Sequence, residues 1–368
     1  MRPDATRVWK NREILSRFSR YFAIIKKEKI PRYLITKKVA ISTALDASIP
    51  TEKLWAEHDR TAGKFTTLLQ ELDDQPDSVN YFNKLDTPQT SFLDLKIELA
   101  SRILRNCHFC DRRCEVNREE KKGTCRLGSE AFVSSWFHHM GEEAPLIPSG
   151  TIFFESCSFK CVFCQNSDIS QTPSWTVSAN GRKLAAIANE LAREKVKNIN
   201  YVTPLPNTYV IIESFKFQTE VITQLWNSNM YCSKETMKLT LELMDFWLPD
   251  FKWGPGRDEP DDCAKNYSKV PHFFEAVARN HKMAHDEGSG EMIIRHLVMP
   301  NHVKCCTKPI LDWIAENTPK AVVNIMGQYR PCYQAHNYSE INRRPTGKEL
   351  SEAKEHATKL GILWEPVS

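Results

Sequence analysis

Apolar residues in the first third of the chain recur at helical spacing. Between residues 51 and 106 they fall at i, i+3, i+4 and i+7, as in the run Phe65, Leu68, Leu69 and Leu72. A second run with this period spans residues 92–104. Each run has one apolar and one polar face, which is typical of amphipathic helices packed on a core. We therefore predict an N-terminal helical region over residues 1–106.

From residue 150 onward, short apolar runs alternate with longer amphipathic ones. Strands are predicted over residues 151–154, 198–202, 221–226, 246–252, 292–299 and 321–326. Helices are predicted over residues 182–196, 234–244, 273–286, 309–316 and 347–360. Because parallel strands that alternate with helices are joined by right-handed crossovers, we expect an α/β fold with a parallel sheet.

The start of the chain combines positive charge with an apolar face. Residues 1–40 contain twelve Lys or Arg and three Asp or Glu, although the whole chain carries a net charge of only +4. Four apolar side chains lie at helical spacing beside this charge: Leu15, Phe18, Phe22 and Ile25. We interpret this basic head as an amphipathic helix packed on the core. Contact with an acidic partner, nucleic acid or a membrane, or a role in organellar import, are the alternatives.

Composition narrows the class of protein. The 368 residues are 41% hydrophobic and 26% charged, which suits one large domain with an appendage. No apolar run approaches the ~18 residues needed to span a membrane. Twelve cysteines without an apolar signal segment favour a reducing compartment and metal ligation over disulfides. We expect a cytoplasmic protein with no membrane partner, and organellar import stays open.

Three cysteines follow the first predicted strand, Cys157, Cys161 and Cys164, and we call residues 157–164 the cysteine loop. Their C-x3-C-x2-C spacing supplies three thiolates, the number that holds three irons of a cubane cluster and leaves the fourth iron open. A zinc site completed by His138 or His139, or buried free thiols, are the alternatives. Zinc loops more commonly pair two C-x2-C knuckles, so the spacing favours the cluster.

Four further cysteines form a second group: Cys107, Cys110, Cys114 and Cys125. Their C-x2-C-x3-C-x10-C spacing can close a tetrahedral zinc site or hold an iron–sulfur cluster without an open iron. We predict a four-cysteine metal module over residues 107–149, with unmetallated thiols as the alternative.

The remaining cysteines carry less information. Cys305 and Cys306 begin a predicted helix near the expected active face, and we interpret them as adjacent thiols without a special role. Contact with a substrate or metal binding is the alternative. Cys232, Cys263 and Cys332 are interpreted as core or surface thiols.

The cysteine loop, with Phe163 before its last cysteine, resembles that of the radical S-adenosylmethionine (radical SAM) enzymes. Within them, the chain from Cys107 to about Leu360 is similar to pyruvate formate-lyase-activating-enzyme-like proteins. The resemblance implies a TIM-like, partial (β/α)6 barrel over residues 150–335, followed by a helical extension over 336–368. It also implies a 4Fe-4S cluster that binds SAM at its open iron, and an external electron donor such as flavodoxin or ferredoxin.

The resemblance assigns cofactor contacts to eight residues: Phe163, Asn227, Ser228, Asn229, Asp250, Lys252, Arg295 and Gln328. His296 and Tyr329 lie where such enzymes handle SAM or substrate, and no residue is assigned as catalytic. Relatives of this kind carry a Gly-Gly-Glu/Asp-Pro stretch after the second strand, which holds the SAM ammonium group. In this chain residues 200–207 contain no glycine.

The activity implied by the resemblance is reductive cleavage of SAM to a 5′-deoxyadenosyl radical, which abstracts hydrogen from a substrate. In the activating enzymes the target is a backbone glycine of a partner enzyme, so both protein and small-molecule substrates stay open. The alternative is a non-catalytic iron–sulfur or zinc protein that kept the fold and lost SAM binding. A third hypothesis makes the Cys107–Cys125 module and the basic head a docking unit for nucleic acid or protein. Nucleic-acid binding is disfavoured because no pattern of stacking aromatics accompanies them.

Overall fold

The structure is a computed structural model that describes residues 2–367, and its fold is mixed α/β around a sheet rich in parallel strands. Its strands are β1 (Ala131–His139), β2 (Ser149–Phe154), β3 (Val177–Ala179), β4 (Asn198–Val202), β5 (Thr223–Ser228), β6 (Phe246–Pro249), β7 (Ile293–Leu297) and β8 (Val322–Met326).

The helices before β1 are α1 (Pro3–Val8), α2 (Arg12–Arg17), α3 (Ser19–Ile25), α4 (Arg32–Thr36), α5 (Thr51–Asp74), α6 (Ser78–Lys84) and α7 (Phe92–Arg105). Those after β2 are α8 (Ser167–Ser170), α9 (Gly181–Arg193), α10 (Thr208–Ser214), α11 (Lys234–Thr240), α12 (Asp262–Ser268), α13 (Phe273–Asp286), α14 (Lys308–Asn317) and α15 (Gly347–Lys359). No helix within residues 2–367 has both the length and the apolar character needed to cross a bilayer.

Strand order places the predicted parallel strands side by side. The larger sheet has the order β3-β1-β2-β4-β5-β6, in which β2, β4, β5 and β6 are parallel. Strands β7 and β8 form a second parallel pair, and bridges at Trp247–Met292 and Asp250–Arg295 connect β6 to β7. The prediction of an α/β fold with a parallel sheet is thus confirmed, and within residues 2–367 the sheet is not closed.

One strand extends beyond its predicted end, because its last residues are polar although they are buried. The third parallel strand was predicted over residues 221–226, but β5 runs two residues further, to Ser228. Asn227 continues the ladder opposite Val202, and Ser228 pairs with Pro249. Both side chains are buried despite their polarity. Their position is set by pairing with neighbouring strands, which local hydrophobicity does not report.

The basic head closes the amino-terminal side of the sheet. Its predicted single helix is interrupted at Phe18, where α2 ends and α3 begins. The buried side chains of the head pack against residues of the parallel strands β5 to β8. We call this cluster the apolar floor: Ile14, Phe18, Tyr21, Phe22, Leu225, Phe246, Leu248, Ile293 and Val322. The interpretation of the head as amphipathic helix packed on the core is confirmed.

The segment between the helical region and β2 is partly sheet. Strand β1 lies within the range predicted for the four-cysteine module, yet it pairs antiparallel with β2 from Val133 to His139. The four cysteines precede it, in a stretch of turns that ends before Ala131. The loop between β1 and β2 contains Glu142 and Glu143, and both side chains are buried.

Candidate functional site

The carboxyl ends of the parallel strands border a cleft of about 530 Å³. All three cysteines of the cysteine loop line it, together with seven of the eight residues that the resemblance assigns to the cofactor: Asn227, Ser228, Asn229, Asp250, Lys252, Arg295 and Gln328. These residues come from different strands and loops, and only the parallel arrangement brings them together. That they bind a cofactor stays a prediction.

The cysteine loop follows β2 through a turn at Ser156, whose φ of 71° lies in the left-handed region. Each of its sulfurs meets a polar neighbour. The Cys157 Sγ accepts from the Phe159 amide at 3.3 Å, and the Cys161 Sγ lies 3.2 Å from the Ser268 Oγ. The Cys164 Sγ lies 3.1 Å from the Ser170 Oγ. Such contacts stabilise charge on sulfur, which is the form that binds metal.

Burial shapes the protonation of these thiols. It raises the pKa of Cys157 to about 11 and that of Cys161 to about 12. At neutral pH the two side chains are therefore neutral in the metal-free protein. A bound cation reverses this preference, because a coordinating thiol is deprotonated outright.

Opposite the loop, a charged network fixes one wall of the cleft. The Arg295 Nε donates to Asp250 Oδ1 at 2.8 Å, and the Lys252 Nζ donates to Asp250 Oδ2 at 2.6 Å. A second Arg295 nitrogen donates to the Asn227 side chain. Burial opposes ionisation of Asp250, but Arg295 and Lys252 outweigh it and lower its pKa. The wall therefore presents ionised groups in fixed positions.

Two acidic residues of the cleft were missed by the sequence analysis. The Glu142 Oε1 accepts from the Asn200 amide at 3.1 Å, and the Glu143 Oε1 accepts from the Asn324 amide at 2.9 Å. Burial raises the pKa of Glu143 to about 7, and the neighbouring Glu142 adds to the effect. Their only sequence signal is an acidic pair in a loop, a pattern that usually marks a solvated turn.

Three predicted residues lie away from the lining of the cleft. Phe163 is buried behind the cysteine loop, where its ring packs edge-on against Trp253 with centroids 5.6 Å apart. His296 is buried between the Phe251 carbonyl and the Thr307 hydroxyl, each 2.8 Å away. These two side chains and Tyr329, whose hydroxyl donates to a backbone carbonyl at 2.7 Å, support the surrounding structure.

The segment without glycines keeps a backbone shape that glycine favours. Thr203, directly after β4, has a φ of 60° and lines the cleft. Its amide donates to the Asn227 carbonyl at 3.1 Å. A residue with a β-carbon adopts this conformation only when the surroundings hold it there. The turn is thus maintained by its neighbours, and residues 205–207 continue it as a short 3-10 turn.

The four cysteines of the predicted module converge on one small pocket beside Arg118. Gly123 lies between two of them, since a β-carbon there would be 3.4 Å from the Cys114 Sγ and 3.6 Å from the Cys125 Sγ. The pocket also adjoins the cysteine loop, because Ser158 lines it and the Ser156 hydroxyl donates to the Cys125 carbonyl. Four thiols that line one pocket offer the donor set of a metal site, although within residues 2–367 no three of their sulfurs lie within 4.8 Å of one another.

A third group of ligand-type side chains includes the adjacent pair Cys305 and Cys306. Cys263, His302, Cys305 and Cys306 bring their ligand atoms within 4.8 Å of one another, and we call them the compact group. Such a set can hold a metal ion. The sequence analysis left metal binding by Cys305 and Cys306 as an alternative and did not connect them with His302, which precedes Cys305 by three residues. Cys263 is brought to them only by the fold.

Comparison with known proteins places the chain in a family without assigning it a function. No protein-family model matches the sequence. The chain is 40% identical over 355 residues to "Uncharacterized protein MJ0674" of Methanocaldococcus jannaschii, a match that covers 94% of this chain and 98% of the relative. The chain therefore belongs to the same family as that protein.

Proposed function

We propose that this member of the MJ0674 family is a radical SAM enzyme, an activase-like oxidoreductase that cleaves S-adenosylmethionine reductively and abstracts hydrogen from a substrate. One observation carries the proposal. The C-x3-C-x2-C loop opens on the same cleft as seven of the polar residues that the resemblance assigns to SAM. Such a convergence of cofactor-type residues at the carboxyl ends of parallel strands is typical of an active site.

The arrangement of the strands agrees with the proposal. Strands β2, β4, β5, β6, β7 and β8 lie in sequence order, joined by ladders and by the bridges between β6 and β7. We interpret them as the open (β/α)6 partial barrel that the resemblance implies. In such a barrel the loops at the carboxyl ends of the strands carry the chemistry.

The residues present fit a cubane cluster. The ligand atoms of the compact group all lie within 4.8 Å of one another, whereas within residues 2–367 the sulfurs of Cys157, Cys161 and Cys164 do not. Wider separation suits a cluster of four irons, which is larger than a single ion. When bound, the reduced 4Fe-4S cluster would supply the electron that breaks a carbon–sulfur bond of SAM, which yields methionine and a 5′-deoxyadenosyl radical.

The chain's own residues would bind and orient the cofactor. Asp250, ionised beside Arg295 and Lys252, offers a fixed negative charge to an ammonium group, and Lys252 offers a positive charge to a carboxylate. Asn229 links this wall to the loop, because its amide donates to the Ser158 Oγ at 3.2 Å and approaches the Cys157 Sγ at 3.8 Å. Charges held in fixed positions orient a ligand without reorganisation.

The substrate class is not fixed by these residues. The cleft opens at the carboxyl ends of the strands, where either a small molecule or an extended segment of a glycyl-radical enzyme can approach. An external flavodoxin or ferredoxin would supply the electron. We assign zinc or an auxiliary iron–sulfur cluster to Cys107, Cys110, Cys114 and Cys125.

One observation favours a second candidate function. The segment from Asn200 to Asn207 lacks the glycines that would bring backbone close to the SAM ammonium group, and side chains and prolines occupy their place. A protein with this change could retain its metal centres as a non-catalytic iron–sulfur or zinc protein.

Anaerobic assay separates the two functions. Protein reconstituted with iron and sulfide, then mixed with SAM and dithionite, is expected to release 5′-deoxyadenosine and methionine. Cys161→Ala should release none, and Cys332→Ala, which alters a cysteine outside all three groups, should match the wild type. A reconstituted wild type with the visible absorption of a cluster and no product above the Cys161→Ala background would support the non-catalytic function.

A further inference from the structure

We propose that the compact group of Cys263, His302, Cys305 and Cys306 is a structural zinc site. The inference does not depend on the proposed radical chemistry, because it concerns residues outside the cleft lining and a metal without redox activity.

The distances match the edges of a tetrahedron around zinc. Bonds of about 2.3 Å to sulfur and about 2.0–2.1 Å to nitrogen give edges of about 3.8 Å between sulfurs and about 3.6 Å between sulfur and nitrogen. The Cys305 and Cys306 sulfurs are 3.8 Å apart. The His302 Nδ1 lies 3.4 Å from the Cys263 Sγ and 3.4 Å from the Cys305 Sγ. One ion at the centre of this set would contact all four ligands.

The donor set selects the kind of metal and its role. Three thiolates and one imidazole suit zinc and exclude the oxygen-preferring cations magnesium and calcium. Three of the four side chains are buried, and Cys305 is half-buried. Four protein ligands fill a tetrahedral site, so no position remains for water or substrate. We therefore assign a structural role to the ion.

The surroundings of His302 support metal binding by its Nδ1. Its Nε2 is buried without a hydrogen-bond partner and lies 3.8 Å from the Glu340 Oε2. Glu340 is itself held by the Tyr267 hydroxyl at 2.7 Å and by Arg257 at 3.2 Å. A ligating histidine commonly points its second nitrogen at a carboxylate, which fixes the tautomer. A small shift of Glu340 would complete that contact, and Arg257 offsets the negative charge of three thiolates.

The backbone is shaped around the two adjacent cysteines. Residues Val303–Thr307 form a π-helical turn. Such turns are rare in proteins, and many of those known lie at functional sites. Gly254 packs directly against this turn, because a β-carbon there would lie 2.4 Å from the Cys305 carbonyl oxygen and 2.7 Å from the Cys306 Cα. The loop after β6 can approach the pair only because this position has no side chain.

The ion would connect the cysteine loop to the rest of the fold. Cys263 lies in the first turn of α12, and the last turn of this helix supports the cysteine loop. There the Ser268 hydroxyl lies 3.2 Å from the Cys161 Sγ, and the Tyr267 carbonyl accepts from the Val162 amide at 2.9 Å. A zinc ion that anchors the start of α12 to the turn after β7 would thus hold the end of α12 against the loop.

Metal analysis tests the site with a matched series. Full-length protein is purified with zinc in the growth medium, and all first-row metals are counted per chain. We expect His302→Ala to contain one zinc fewer than the wild type, and His302→Cys, which restores a ligand, to regain it. Cys332→Ala should retain the wild-type content. Equal zinc in His302→Ala and wild type, or iron in place of the lost zinc, would overturn the assignment.

A second measurement uses the wild-type protein and needs no variant to fold. Cys305 and Cys332 are both half-buried, so they form a matched pair for alkylation by iodoacetamide. We expect a chelator to increase labelling of Cys305 at least fivefold and to leave labelling of Cys332 unchanged. Equal labelling with and without chelator, or a disulfide between Cys305 and Cys306 in protein kept under reducing conditions, contradicts a zinc site.

Discussion

The cysteine loop and the compact group each supply three cysteines, yet their surroundings differ. In the loop, the Cys161 and Cys164 sulfurs face serine hydroxyls and border an open cleft. In the compact group the sulfurs face one another and His302, within 4.8 Å. Cysteines that are spread around a cleft leave room for a larger cofactor and its ligand, whereas cysteines packed together enclose one ion. Under the two proposals, the arrangement of the thiols, more than their number, separates a reactive centre from a structural one.

The sharpest test of this contrast is a reciprocal pair of substitutions. Cys161→Ala should abolish iron binding by the loop and leave zinc unchanged, because the two groups share no ligand. Cys306→Ala should remove one zinc and leave the loop able to bind iron. Iron and zinc per chain, measured after anaerobic reconstitution, check both outcomes. Loss of both metals in either variant would show that the two centres are not separable.

The next largest expected effect is on protein stability, through packing around the compact group. Gly254→Ala should destabilise the protein by about 3 kcal/mol, because the new methyl group collides with the Cys305–Cys306 backbone. The zinc content should fall in parallel. Thermal unfolding followed by circular dichroism measures the stability.

Gly347→Ala is the matched control for that substitution. No atom lies within 4 Å of a β-carbon at Gly347, which begins α15, so alanine should stabilise the helix by up to about 1 kcal/mol. Equal destabilisation by both substitutions would argue against a special constraint at Gly254.

The cleft should respond to pH through Glu143. Its pKa of about 7 lies above the 4.5 of the unfolded chain, so the folded protein binds the extra proton between these values. Stability from this group is therefore present below pH 4.5 and is lost as the pH rises through 7. Glu143→Gln cannot ionise and should be more stable than the wild type at pH 8, by about 3 kcal/mol at most.

Denaturant unfolding at pH 5 and pH 8 measures that difference. Asp245 and Glu291 also have pKa values raised by burial, but they are unchanged in the variant and cancel in the comparison. A variant with the same pH dependence as the wild type would mean that Glu143 is ionised in the folded protein.

The smallest expected effect belongs to the partner of His302. Glu340→Gln should weaken zinc binding by about 10- to 100-fold, because it removes the carboxylate that orients the histidine. Competition with a chelator of known affinity measures the change. Glu352→Gln alters a half-buried carboxylate paired with Lys308 and should leave the affinity unchanged. An unaltered affinity in Glu340→Gln would assign the orientation of His302 to its aromatic neighbours instead.

Local patterns predicted much of the fold. The strand over residues 198–202 and the helix over 273–286 have the predicted boundaries, because each combines a clear apolar period with clear ends. The cysteine loop also follows β2 as predicted, since its spacing is contained in one short segment. Features that depend only on neighbouring residues could therefore be predicted from the sequence.

Other features depend on contacts that are distant in sequence. Asn227 and Ser228 read as a loop, but the ladder with β4 and β6 keeps them in a strand. Cys263 joins His302 only through the packing of α12 against the turn after β7. Glu142 is buried beside Asn200 across the sheet, although its loop has the polarity of a surface turn. Pattern analysis has no access to these pairings.

The apolar floor also determines how molecules exchange with the cleft. Asn198 lies beside the apolar floor, because the Asn198 side-chain amide donates to the Tyr21 hydroxyl at 3.0 Å. Asn200 lies two residues further along the same strand, towards its carboxyl end. Because the floor side chains are buried, the described residues leave the carboxyl ends of the strands as the route of entry. Glu142, which accepts from the Asn200 amide, lines the inner part of the cleft. A molecule bound beside Glu142 must therefore enter before a molecule bound at the mouth, and must leave after it. Molecules then bind and leave the cleft in a fixed order, and a molecule at the mouth slows the release of one bound deeper in the cleft.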